Sequence, residues 1–309
     1  MSRISSTLKW LLSTILFCGM TQSTSAKEHA WFPLLPDHPP NEALSKRYQP
    51  PAGYQRVAVG PGSFAAWMRA LPVRLDRTDV LSYQGVPLDR PSAGIIAMDV
   101  GSRDLMQCAD SVIRLHAEFL WAKGRQDEAA YRFTSGDETR WRDWVAGERM
   151  HIAGSRVRRT QGAPRSAKHA SYRRWLDLVF TYAGTVSLAR DASPLPVASP
   201  VEAGEFYVEA GSPGHAVVVL DVVKNADGVR LGLLGQGFMP AEDIHILRSP
   251  LAVEGVWFRL PSQPDEILHA QLATLHRGCP TAPALSRVIT PDDHTWGAQI
   301  EFFKATTMT

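Results

Sequence analysis

Gly204-Glu205-Phe206-Tyr207-Val208-Glu209-Ala210-Gly211-Ser212-Pro213-Gly214-His215-Ala216-Val217-Val218-Val219-Leu220-Asp221-Val222-Val223 is the stretch that decides the fold. A β-branched run opens behind small residues, meets the turn Asn225-Ala226-Asp227-Gly228, and returns through residues 229–236. That pattern predicts an antiparallel hairpin. With Lys224 facing Val229 across the turn, Val217 opposes Gln236, and His215 lies two residues further along the same face. His215 and Gln236 then become diagonal neighbours, roughly 5–8 Å apart. In this register Asp221 shares their face but stands roughly 20 Å from His215 at strand rise. The expected partner of His215 is therefore Gln236.

Upstream, residues 104–124 carry the clearest helical pattern. Ala109, Val112, Ile113, His116, Phe119 and Leu120 recur at three and four, Asp104 and Gln107 stand as in a capping box, and Gly124 ends the run. Cys108 lies in or just past the first turn, where free amides and the positive dipole end lower a thiol's pKa. Ser63 is placed to cap a short helix through Leu71, and residues 172–189 read as another helix. Residues 80–83, 95–100, 244–247 and 256–260 read as further strands. Helices followed by consecutive antiparallel strands predict an α+β domain.

The first 26 residues read as an export signal. Arg3 and Lys9 lead into an apolar run, and Thr24-Ser25-Ala26 offers a small-residue cleavage site. The run is too short to remain as a membrane anchor after processing. Arg3 and Lys9 are two of 33 basic residues, so 31 remain against 31 acidic ones. A formally neutral chain has no global field for nucleic acid or for an anionic surface. Residues 27–53, rich in proline, read as an extended arm, residues 54–260 as one α+β domain, and residues 261–309 as a weakly patterned tail. The expected location is the periplasm or the exterior.

Cys108 has three readings: a buried core residue, half of a disulfide with Cys279, or a nucleophile. His116 lies about 12 Å along the helix from Cys108, too far to activate it. His245 with Asp243 and Glu242 matches no metal signature, so no metal and no cofactor is expected. Trp141, Trp144 and Trp175 fit a core. Residues 149–174 form a locally basic stretch that reads as a solvated loop or as a contact for an anionic envelope polymer.

The order of cysteine at a helix start, histidine opening a strand, and a polar amide on the next strand resembles papain-like cysteine hydrolases of the NlpC/P60 type. Gln107-Cys108-Ala109-Asp110-Ser111-Val112 and Gly214-His215-Ala216-Val217-Val218 carry that local resemblance. A longer one covers roughly residues 54–258 and is to the bacterial family catalogued as domain of unknown function 4846. Its carriers include residues 64–72, 104–112, 182–188, 212–219 and 239–245. The chain departs from it at Gly235-Gln236-Gly237-Phe238, where Ala-Gln-Ser-Tyr is expected. This family implies no activity; the papain-like resemblance implies a papain-like fold with Cys108, His215 and Gln236 as catalytic residues. The expectation is an exported cysteine hydrolase or acyltransferase acting on a peptide or cell-wall amide or ester. The alternative is a non-catalytic envelope binding or scaffold module of the same fold.

Overall fold

A computed structural model describes residues 29–154, 156–195, 199–212, 214–260 and 286–289. Its centre is one antiparallel sheet. Its strands are β1 (Tyr54–Arg56), β2 (Ser92–Ile95), β3 (Ser193–Pro194), β4 (Phe206–Glu209), β5 (His215–Asn225), β6 (Arg230–Gln236), β7 (His245–Leu247), β8 (Trp257–Arg259) and β9 (Ser286–Ile289). They run in the order β3-β9-β4-β5-β6-β7-β2, with β1 beside β5 and β8 beside β6. The hairpin β5–β6 is the axis: each of its strands has two short partners, end to end, along its outer edge.

The expected register of this hairpin is corrected at its tip. Lys224 pairs with Arg230, not Val229, because Asn225 turns its own amide to the Val229 carbonyl and its side chain to the Val229 amide. A bulge between Val219 and Asp221 then absorbs one residue, so that Val218 pairs with Gly235, as the expected register has it. The bulge also reverses the alternation of faces. Val217 and Val219 lie in a smaller core with Tyr207, Leu234 and Phe258, whereas Leu220 and Val223 lie in the main core with the helices. Asp221 therefore does not share the face of His215; it falls on the helix side. There it is fully buried, accepting from Arg56 Nε at 2.8 Å and Arg69 Nε at 2.7 Å. Burial on both faces explains why this strand reads as an almost unbroken apolar run.

Four helices bear on the argument: α1 (Phe64–Met68), α2 (Cys108–Ala122), α3 (His169–Tyr182) and α4 (Thr185–Asp191). Ser63 caps α1 by accepting from the Ala66 amide. The single helix expected over 172–189 divides into α3 and α4 at Ala183 and Gly184, both extended. Helix α2 is buried on nearly every side, and its Arg114 is held by Glu118 at 2.8 Å and Asp99 at 2.8 Å. Glu118 in turn receives His169 at the start of α3, 2.8 Å away, which locks the two helices together. Trp141 and Trp175 are core residues, as their spacing suggests.

Residues 27–53 are not a surface arm over their described part. Trp31, Leu35, Leu44 and Tyr48 are buried in the main core, and Asn41–Ala43 pairs with Pro72–Arg74. Prolines space this segment without excluding it from the core, because its few apolar side chains are large. Among residues 261–309, the described strand β9 pairs with β4 and β3. Cys279, and with it the disulfide expectation, lies outside the described residues, as do residues 1–26.

Candidate functional site

Helix α2 starts at Cys108 itself, later than the spacing of Asp104 and Gln107 suggests. Gln107 is the cap residue, and its amide donates to Asp110 Oδ2 at 3.1 Å, while Ser111 bonds the Gln107 carbonyl through both its amide and its hydroxyl. Asp104 belongs to the preceding loop. Its Oδ1 accepts from Gln107 Nε2 at 3.1 Å and from the Ala241 amide at 2.6 Å, fastening the loop after β6 to the start of α2.

The sulfur of Cys108 lies 4.0 Å from the Gly214 carbonyl, and the Ala216 amide favours its thiolate form. The thiol thus sits against the backbone on both sides of His215. Val219 directs its amide and carbonyl to residues 204 and 205, so by alternation the Gly214 carbonyl and Ala216 amide face the β6 side. The imidazole of His215 reaches in the same direction: its Nε2 is 2.9 Å from Gln236 Oε1. His215 and Gln236 are thus bonded side by side, and the thiol lies against the backbone at residues 214 and 216, where the ends of β5 and β6 meet α2. The close approach depends on two glycines. A side chain at Gly237 would meet Ser111 Oγ and come within 3.3 Å of the Gln107 carbonyl. One at Gly214 would meet Thr185 Oγ1 and two backbone carbonyls.

Electrostatics at the thiol run against the expectation of a lowered pKa. Burial, and secondly the charge of Asp110, push Cys108 up to about 11, although its own amide and those of Ala109 and Ala216 pull the other way. Only 7% of the residue is exposed. Asp110 is itself buried, which pushes its carboxyl up to about 8, so near neutral pH its charge on Cys108 is largely suppressed. The resting thiol is protonated.

Around His215 stands a wall that the sequence does not disclose. Phe238 places its ring 5.2 Å from that of His215 at 68°, and the Arg90 guanidinium lies 4.9 Å over Phe238. Arg90 also bonds Glu242 at 3.0 Å and the Met239 carbonyl at 2.9 Å. Glu242 is pushed up to about 7 by burial, against the pull of Arg90, and lies 3.4 Å from His245 Nδ1. His245 pairs directly with Gln236 across β7 and β6. His116 is a core residue, 3.0 Å from the Tyr131 hydroxyl and pushed down to about 3 by burial. Among the described residues no group of three or more His, Cys, Asp or Glu is placed to hold a metal. No described helix is long and apolar enough to cross a membrane.

The class defined by these observations is an antiparallel-sheet α/β protein with a cysteine, a histidine and a glutamine gathered at one end of its central hairpin. The family model described as domain of unknown function (4846) matches residues 44–273, and the chain belongs to that family. Its span includes Leu44 and Tyr48, in keeping with their place in the core. No curated protein and no solved structure matches the chain.

Proposed function

We propose that the protein is an exported cysteine hydrolase or acyltransferase of papain-like arrangement, acting on a peptide amide or ester of the cell-wall class. The observation that carries this reading is the thiol seated against the backbone flanking His215, whose Nε2 is held by Gln236. With Nε2 so engaged, Nδ1 is the nitrogen assigned to the thiol proton. Cys108 Sγ attacks the carbonyl carbon while its proton passes to His215 Nδ1. The imidazolium then protonates the leaving amine or alcohol as the C–N or C–O bond breaks, and water or a second nucleophile takes the acyl group. Because burial holds the thiol protonated, proton transfer accompanies attack, with no standing thiolate. The helix-start amides at Cys108 and Ala109 favour the anion that forms. Export is proposed from residues 1–26 alone.

A second reading, a non-catalytic binding module, is favoured by the same burial. Iodoacetamide separates the two. For the hydrolase, Cys108 alkylates near pH 7 at least about tenfold faster than in His215→Ala, and Gln236→Ala falls between them. For the binding module, all three proteins react alike, and only as pH approaches the raised thiol value. Mass spectrometry of the digest reads Cys108 and Cys279 together.

A further inference from the structure

The basic stretch at 149–174 takes no part in the site at Cys108. It contains seven arginines, one lysine and no acidic residue. Its first part is a two-stranded ribbon, Arg149–Ala153 against Arg156–Thr160. Cross-strand pairs share a face, so Met150, Ile152, Val157 and Arg159 form one side, and Arg149, His151, Arg156, Arg158 and Thr160 the other. The first side packs inward: Met150 is buried, Ile152 and Val157 are half-buried, and Arg159 turns back to Glu148. On the second side, Arg149 stacks on Trp144, its guanidinium 3.7 Å from the ring. Arg156 and Arg158 stand exposed, with no ion-pair partner among the described residues. Arg165, Lys168 and Arg174 extend the patch, equally exposed and equally without acids. Arg174 is near enough that its charge adds to burial in pushing Arg149 down.

Like charges gathered this closely repel, and an anion laid across them relieves the repulsion. The composition of the patch narrows the kind of anion. Arginine predominates, whose planar fork binds phosphate and carboxylate through two bonds at once. The exposed large apolar residues lie elsewhere, at Leu34, Leu75, Val86, Met239, Leu251 and Val253, so no wedge is offered to a bilayer. Of the rings at the patch, Tyr172 and Trp175 are fully buried and Trp144 is half-buried with Arg149 over its face, which leaves as a stacking surface for bases only the small imidazole of His151, itself bonded to Thr160 at 3.0 Å. Arg156 and Arg158 are two residues apart on one strand, roughly 6.6 Å at strand rise, which suits charges repeated along a chain.

We propose that the outward face of this ribbon, with Arg165, Lys168 and Arg174, is a docking surface for a linear, phosphate-bearing polyanion with a non-aromatic backbone. It is independent of the thiol, so its test stands whether or not Cys108 is a nucleophile. The probe is fluorescently labelled linear polyphosphate, titrated with the whole chain at several salt concentrations. Arg156→Glu/Arg158→Glu weakens binding about tenfold or more near 50 mM salt and lowers the salt slope by about two. The control Lys46→Glu/Arg259→Glu, an equal change of charge on other exposed elements, leaves binding within about twofold. Equal losses in both variants overturn the proposal, since net charge alone then accounts for binding. So does tighter binding, abolished by the same ribbon variant, to duplex DNA or to phosphatidylglycerol vesicles, which would make the partner a nucleic acid or a membrane. Circular dichroism of both variants confirms that each has folded.

Discussion

Replacing Gly214 by alanine tests whether the approach of β5 to its neighbours is as tight as the site requires. A Cβ there would collide with Thr185 Oγ1 and lie 2.6 Å from the Glu209 carbonyl and 2.8 Å from the Gly211 carbonyl. Thr185 can rotate, but the two carbonyls belong to the strand and loop that frame His215, and moving them breaks local pairing. The Thr185 hydroxyl itself donates to the Gly211 carbonyl at 3.1 Å and accepts from the Gly211 amide at 3.2 Å, so its rotation is not free either. Overpacking of this kind costs typically 1–3 kcal/mol, and blocked backbone places Gly214→Ala near the top, about 3 kcal/mol. For a domain of this size a urea m-value of about 2.5 kcal/mol/M makes that roughly a 1 M fall in the midpoint. Urea unfolding followed by tryptophan fluorescence measures it. Thr185→Ala in the same background should recover less than about half of the loss, because it removes one obstacle of three. A loss below about 0.5 kcal/mol, or full recovery with Thr185→Ala, would refute the argument that backbone carbonyls enforce glycine here.

Two substitutions test the buried charges. Asp221→Asn leaves Arg56 and Arg69 facing a neutral amide; about 3 kcal/mol is expected, the low end for a broken buried pair, since those side chains keep 23% and 15% exposure. Urea midpoints should show that loss. Asp110 has a folded pKa raised by burial to about 8, from 3.8, so the folded state binds the extra proton between those values. Wild-type stability therefore falls as pH rises through that window, and Asp110→Asn should flatten the fall. The same substitution should speed alkylation of Cys108 above pH 8 and leave it little changed at pH 6, where the wild-type carboxyl is already neutral.

Local chemistry makes part of the fold and site legible in the sequence. Ser63 announced its helix because a hydroxyl before an apolar run has one common use, and α2 was visible because its apolar residues recur at three and four. His215 and Gln236 could be placed together because strand alternation is rigid over a few residues. Asp221 was misplaced for the complementary reason: a bulge leaves no mark in an unbroken run of valines, and one extra residue reverses every face beyond it. Prolines in residues 27–53 hid core residues, because Trp31 and Tyr48 are held by distant partners, the Ala97 and Ala93 carbonyls. The raised thiol pKa was equally out of reach. It depends on how deeply the sheet covers the start of α2, and a helix-end argument sees only the amides. Arg90 and Phe238 stand 148 positions apart in sequence and meet only through the pairing of β7 with β2, so no local motif could link them.

The bulge at Leu220 gives β5 two reading frames in one strand. In the frame toward the turn, Asp221 is delivered to Arg56 and Arg69; in the frame toward the loop, His215 is delivered to Gln236. Leu220 is the joint between them, and its contribution there is a count of one as much as an aliphatic side chain. Deleting it would merge the frames, and one delivery would fail: either His215 turns toward the helices, or Asp221 leaves its arginines. The length of this segment is therefore fixed from both ends at once. The turn at residues 225–228 lies beyond both anchors, so its length is not fixed by either of them.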